Sequence, residues 1–234
     1  MDNKNNSETD LDSNFVETIN LLNENKISYW VCHGTLLGLI RDKQLIPWDH
    51  DIDFGILKWD LTKSSLIKLM ENNGYKVKDH GNDYDFIIFT KKGGREVDFN
   101  FYQINPESNL AYSEWNIPRS KLTSVLDTIS KGADYKGKWV YTVKLLYYFL
   151  SPIVNYVIKL LKKSGKFYKS AGYTTPAKLL EEFDFIEISG VNIRVPSNYE
   201  SVLEYIYGSD WKIPKKEYDW VIESPSTIVS KSRY

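Results

Sequence analysis

The stretch Trp48-Asp49-His50-Asp51-Ile52-Asp53-Phe54-Gly55-Ile56 carries two patterns at once. Side chains on a strand alternate between faces. Ile52, Phe54 and Ile56 then share an apolar face, while Asp49, Asp51 and Asp53 share the other. The alternation predicts a strand over His50 to Leu57. Three carboxylates on one face repel one another, so stability alone does not favour them. A divalent cation resolves the conflict, because Mg²⁺ prefers carboxylate oxygens, phosphates and water as ligands. Two Asp residues two positions apart set two such ligands side by side.

Downstream, Glu96-Val97-Asp98-Phe99-Asn100-Phe101 repeats the pattern. Val97, Phe99 and Phe101 define a buried face and leave Asp98 on the opposite one. If the two strands are neighbours, Asp51, Asp53 and Asp98 converge. Phosphoryl-transfer enzymes use such clusters to hold metals, with one acid receiving the nucleophile's proton. The competing reading is a solvated polar face, or a cation site without chemistry.

Upstream, His33-Gly34-Thr35 ends a predicted buried strand, Ile27 to Cys32, rich in β-branched and aromatic residues, and opens a short helix, Leu36 to Arg41. Glycine lets a backbone approach a ligand closely. Free N–H groups at a helix start attract phosphate, and the Thr35 hydroxyl can add a bond. Thr35 merely capping a plain turn is the alternative. Arg41 follows Gly34 by seven residues and is a candidate phosphate contact, or a partner for Asp42 or Asp49. His33, His50 and His80 give no zinc spacing.

Around this centre the periodicity predicts a helix from Phe15, capped by Asp12 or Ser13, and another from Trp59 to Asn73, stopped by Gly74. Strands are predicted at Tyr75 to Val77, Tyr84 to Thr90 and Glu96 to Tyr102, with a hairpin turn at Lys91 to Gly94. Gln103 to Lys138 reads as loops with one short helix. Tyr141 to Lys163 reads as a helix, and Pro176 to Phe183 as a short one capped by Thr175. Phe185 to Val195 reads as a hairpin turning at Ser189-Gly190. Ser197 to Tyr207 reads as a helix with Ser197 and Glu200 forming a capping box. The expected organisation is a tail over 1–11, an α+β core over 12–138 with a mixed sheet, and a mostly helical part over 139–234 packed on it.

The 234 residues hold 30 Lys and Arg against 31 Asp and Glu, a net charge of −1. That balance argues against a general nucleic-acid binder. It conceals an asymmetry. Residues 1–60 carry eleven acids and five bases, and residues 131–170 carry nine lysines and one acid, Asp134. A single cysteine, Cys32, excludes an internal disulfide framework. The polar, acidic N-terminus does not read as a signal peptide, so the expected compartment is the cytosol.

In the basic region, Leu145 to Ile158 is an uncharged run of fourteen residues, too short to span a bilayer and interrupted by Pro152. Two readings stay open. One is a core helix. The other is an interfacial helix making peripheral contact with the inner membrane face through 142–169, its lysines meeting anionic headgroups. Trp115, Trp139 and Tyr173 are candidates for stacking on sugar faces, with no role assigned.

The run HGTLLGLIRDKQLIPWDHDIDFGI at residues 33–56 resembles the signature of the LicD family, which includes bacterial phosphocholine transferases, fukutin and fukutin-related protein. VPSNYESVLEYIYGSDWKIPKK at residues 195–216 resembles that family's C-terminal part. The resemblance implies a nucleotidyltransferase-like fold of the DNA polymerase β superfamily. It makes Gly34-Thr35 the phosphate-side turn, Asp51 and Asp53 the metal ligands and Asp98 the third carboxylate; Asp49 is an extra acid. His33, Gly34, Thr35, Arg41 and Asp49 form the expected substrate-binding set around catalytic Asp51, Asp53 and Asp98. The implied cofactor is Mg²⁺ or Mn²⁺. The implied reaction moves a phospho-alcohol such as phosphocholine or ribitol phosphate from a CDP-linked donor to a sugar hydroxyl of a surface glycan, releasing CMP. A lipid-linked acceptor would suit the membrane reading. The rivals are transfer of the nucleotide itself, an Asp-x-Asp glycosyltransferase using a nucleotide sugar, and a non-catalytic nucleotide-binding module.

Overall fold

A computed structural model describes residues 11–79, 85–133, 135, 139–216, 218 and 223–229. The expected tail, apart from Leu11, lies outside these residues, as do His80 and Asp134. The chain forms two compact units, Met1–Glu114 with Gly172–Ile228, and Trp115–Ala171 with Val229–Tyr234. The elements in chain order are α1 (Ser13–Glu24), β1 (Trp30–Val31), α2 (His33–Arg41), β2 (Asp51–Leu57), α3 (Lys63–Asn72) and β3 (Lys76–Asp79). Next come β4 (Phe86–Thr90), β5 (Glu96–Asn105), β6 (Leu110–Pro118), α4 (Lys121–Ser130), α5 (Val140–Lys163) and β7 (Tyr168–Pro176). A 3₁₀ turn (Ala177–Leu180), β8 (Phe183–Ile188), β9 (Val191–Pro196), α6 (Tyr199–Tyr207) and β10 (Thr227–Val229) complete the chain.

The architecture is α+β with a mixed sheet, as expected. Its hydrogen-bonded order is β1-β2-β5-β6-β7-β10, with β4 also on β5 and β3 on β4. β2 is antiparallel to β1 and parallel to β5. One face of the β2–β5 pair is fully apolar: Ile52, Phe54, Ile56, Val97 and Phe99 are wholly buried. Phe54 stacks between Phe15 of α1, at 6.1 Å between centroids, and Phe99 of β5, at 5.3 Å. Within β2, Gly55 leaves room for its neighbour on β1, because a Cβ there would run into the Trp30 indole.

Polar side chains fix the rest of this unit. Asp12 caps α1 through the N–H groups of Asn14 and Phe15. Asn14 Nδ2 then donates to Lys91 O and Arg95 O across the β4–β5 turn. Thr62 caps α3, so that helix starts at Lys63 rather than Trp59. Gly74, at φ 83°, follows it in the left-handed conformation its position suggested.

Several expectations change. The C-terminal part over 139–234 is not mostly helical, since β7, β8, β9 and β10 lie in it, and the chain does not divide at residue 138. β6 and β7 arise where no strand was expected. Their inward residues are small: Ala111, Ser113, Ala171 and Thr174 are buried. Gly172 permits the close approach, because a Cβ there would stand 2.5 Å from Ser113 O. Only Trp30 and Val31 of the run Ile27 to Cys32 are in a strand. α6 is preceded by Asn198 with no side-chain cap, so the Ser197–Glu200 box does not form.

In the second unit, Ile129 of α4, Val154 and Ile158 of α5, and Phe167 form a small core. α4 is the one short helix expected in its segment, started by a capping box between Ser120 and Thr123. Along α5 only Val154 and Ile158 are buried. The core-helix reading thus describes one face of α5 and not the rest of it.

Candidate active site

The site begins with register. In the parallel β2–β5 pair, Asp51 lies opposite Glu96 and Asp53 opposite Asp98. Directly opposed residues share a face, so Asp51, Asp53, Glu96, Asp98 and Asn100 all stand on the side away from the Phe54 core. Asn100 Nδ2 donates to Asp53 Oδ1 at 3.3 Å. Glu96 is held by Lys78 at 2.5 Å. Asp98 Oδ1 is buried and has no hydrogen-bond partner among the described residues.

The turn between β1 and α2 grips the Asp53 peptide on both sides. Cys32 N–H donates to Asp53 O at 3.1 Å, and Asp53 N–H donates to Thr35 Oγ1 at 2.8 Å. Thr35 is thus primarily a clamp on β2, with its own hydroxyl proton left to give. α2 starts three residues earlier than expected, at His33. Its first intrahelical bond is Leu36 N–H to Cys32 O, so the N–H groups of His33, Gly34 and Thr35 come before it. Gly34 is small for a reason: a Cβ would collide with the Asp49 carboxylate. Asp49 thereby sits against the start of α2.

The charges show how crowded this face is. Burial first, then Asp51 nearby, pushes Asp49 up to about 7. Burial, then Asp51 and Glu96, does the same to Asp98, also to about 7, with Lys78 opposing. Asp53 is raised well above the ordinary carboxylate range by burial and by Asp51, Asp98 and Asp49. Half-buried, mutually repelling carboxylates with one buried, orphaned oxygen are donors of the kind a divalent cation takes. The donors fit a cation in kind, but among the described residues they are not closed, as they stand, into a group of three His, Cys, Asp or Glu side chains that could hold one; what the register supplies is the facing of Asp53 and Asp98.

Behind the turn lies an aromatic wall. His33 Nε2 meets Tyr102 Oη at 3.0 Å, and its ring packs 4.1 Å from that of Tyr173. Burial lowers His33 to about 4 despite the charge of Asp51, so the imidazole is neutral. Tyr173 therefore backs the turn. Burial, with Asp53 and Asp98 beside it, pushes the Cys32 thiol up and keeps it protonated. Arg41 forms a bidentate pair with Asp42, at 2.9 and 2.7 Å, the alternative that the sequence left open.

The structure thus gathers Asp49, Asp51, Asp53, Asp98, Gly34 and Thr35. His33 is packed behind them, and Arg41 is bound to a neighbour. Three contributors escaped the sequence reading. Asn100 was visible in principle, two residues after Asp98 on the same face. Lys78 and Arg95 gave no local signal. Arg95 donates to Ile46 O at 3.0 Å, and its charge opposes the rise at Asp49.

The family model for the LicD/FKTN/FKRP nucleotidyltransferase domain matches residues 26–144, about half of the chain. An uncharacterized protein of Rickettsia typhi is 34% identical over 90 residues, 35% of this chain and 29% of that protein. The ribitol-5-phosphate transferase FKTN of Homo sapiens is 24% identical over 206 residues, 88% of this chain and 34% of that protein. The chain thus spans about a third of the length of these curated relatives. Among solved structures, the lincosamide antibiotic adenylyltransferase LnuA with lincomycin bound is similar at a TM-score of 0.43 and 12% identity, over 82% of this chain and 85% of that one.

Proposed function

The chain belongs to the LicD/FKTN/FKRP family, and from that premise we propose that it is a metal-dependent transferase. It moves a phospho-alcohol from a CDP-linked donor to a sugar hydroxyl of a glycan and releases CMP. The observation that carries this reading is the facing of Asp53 and Asp98 across a parallel strand pair, with Asp98 Oδ1 unpartnered among the described residues.

Asp51 and Asp53 would hold Mg²⁺ or Mn²⁺, with Asp98 completing the carboxylate set. When bound, the cation neutralises charge on the donor's diphosphate oxygens. The N–H groups of Gly34 and Thr35 orient a phosphate from the backbone side. Thr35 and Asn100 hold Asp53 in place. The acceptor hydroxyl attacks the phosphorus that carries the alcohol. A new P–O bond forms, the bond to the CMP phosphate oxygen breaks, and Asp98 Oδ1 takes the hydroxyl proton.

One observation favours a second reading. The matched family domain is described as a nucleotidyltransferase domain, which is the chemistry of nucleotide transfer. Product analysis separates the two. With CDP-choline, CDP-ribitol or CDP-glycerol, Mg²⁺ and a glycan acceptor, CMP release supports phospho-alcohol transfer. Release of pyrophosphate from a nucleoside triphosphate, with no turnover of CDP-alcohols, supports nucleotide transfer instead. A melting temperature raised only by UDP-sugars would point to glycosyl transfer.

A further inference from the structure

Helix α5 is apolar on two opposite sides, and only one of them is covered. Val154 and Ile158 pack on Ile129 and Phe167. Leu145 precedes Val154, and Phe149 precedes Ile158, by nine residues or two and a half turns, which sets each pair on opposite faces. Tyr141, Leu145, Tyr148, Ile153, Tyr156 and Leu160 are exposed, Tyr141 at 88% and Tyr148 at 78%. They form one apolar stripe along the helix.

The chemistry around the stripe is one-sided. From Tyr135 to Leu180 the sequence contains no Asp or Glu. Exposed Lys159, Lys163 and Lys166 crowd the C-terminal end of the helix. Tyrosines on the stripe suit a boundary between hydrocarbon and water. A second copy of this unit would bring the lysines little: Asp127, the one acid among the described residues of Trp115–Ala171, is already bound by Lys131 and Tyr168. By length and composition α5 could cross a membrane. Crossing would, however, take Lys144 and the Asp127–Lys131 pair into hydrocarbon, which is costly.

We propose that the exposed stripe of α5 docks in the interfacial layer of a bilayer with anionic headgroups, the helix axis lying in the membrane plane. The lysines meet the headgroups, and the side bearing Val154 and Ile158 stays on α4. This inference does not rest on the catalytic reading.

The test is co-sedimentation of the full chain with vesicles of phosphatidylcholine alone or mixed with phosphatidylglycerol. Binding to the mixed vesicles and not to the neutral ones is expected. Charge reversal at Lys159→Glu, Lys163→Glu and Lys166→Glu should weaken it at least about a hundredfold. Leu145→Ser, Tyr148→Ser and Tyr156→Ser should weaken it at least about tenfold, each set with an unchanged melting temperature. As a measurement independent of those variants, an environment-sensitive dye on Tyr148→Cys should shift to the blue on the mixed vesicles; Cys32 is buried and spares the labelling. Absence of vesicle binding, equal binding by the charge-reversed variant, or no dye shift overturns the proposal. So does retention on the membrane after alkaline carbonate washing, which marks a spanning helix. A dimer that the serine variants dissolve would overturn it too.

Discussion

Replacing Asp98 with Asn removes one charge from the crowded face at almost no change in volume. In the metal-free protein, burial and the neighbouring acids push Asp98 from 3.8 up to about 7. That is roughly three pH units, at about 1.4 kcal/mol each, so the charged side chain costs the fold at most about 4 kcal/mol. The sign follows from proton binding. Between pH 3.8 and about 7 the folded state holds a proton that the unfolded state has lost. Stability is therefore highest below the unfolded value and falls as pH rises toward the folded one. Urea unfolding in EDTA at pH 5 and pH 8 measures this directly. Wild type should lose stability between the two, and Asp98→Asn should lose about 2–3 kcal/mol less. Adding Mg²⁺ at pH 8 should raise the melting temperature of wild type and leave the variant unmoved. A variant that is less stable at pH 8 with an unchanged pH slope would refute the idea that Asp98 is a repelled, unpartnered carboxylate.

The double change Asp51→Asn and Asp53→Asn should leave a folded protein by circular dichroism and lower turnover at least about a thousandfold; full activity sinks the metal assignment. Thr35→Val strands the half-buried N–H of Asp53 and should cost about 1–2 kcal/mol in denaturant unfolding, with Thr35→Ser close to wild type. Gly34→Ala forces the Asp49 carboxylate aside and should lower kcat/KM about a hundredfold with little loss of stability. Phe54→Ala opens the stacked core and should cost about 3–5 kcal/mol, while a loss below 1 kcal/mol would contradict its placement.

The centre of the fold was readable because period-two alternation is unusually clean in residues 50–57 and 96–101. That pattern identified both strands and the face of each acid. The register between them was not in the sequence; it comes from the crossover through α3, β3 and β4. β6 and β7 escaped because their inward positions are Ala, Ser, Gly and Thr, which look like loop residues until another backbone is seen against them. Thr35 has a duty that its place in the sequence does not announce. A hydroxyl at a helix start suggested a ligand contact, whereas its nearest duty is to the backbone of Asp53. Arg41 shows the opposite limit, since an adjacent Asp42 was enough to capture it. For α5 the residues left a core helix and an interfacial helix both open, because composition cannot tell which of two apolar faces finds a partner.

The parallel pairing of Asp53 with Asp98 spans 45 positions of chain. A site of that kind cannot exist in fragments. The partly folded chain offers two carboxylates from one strand, and the third arrives only when the crossover has closed, a slow and non-local event. A ligand that needs all three should thus be indifferent to how fast the chain folds and should act on how slowly it comes apart. Stopped-flow unfolding with and without Mg²⁺, set beside refolding under the same conditions, would reveal this as a change in one limb of the chevron alone.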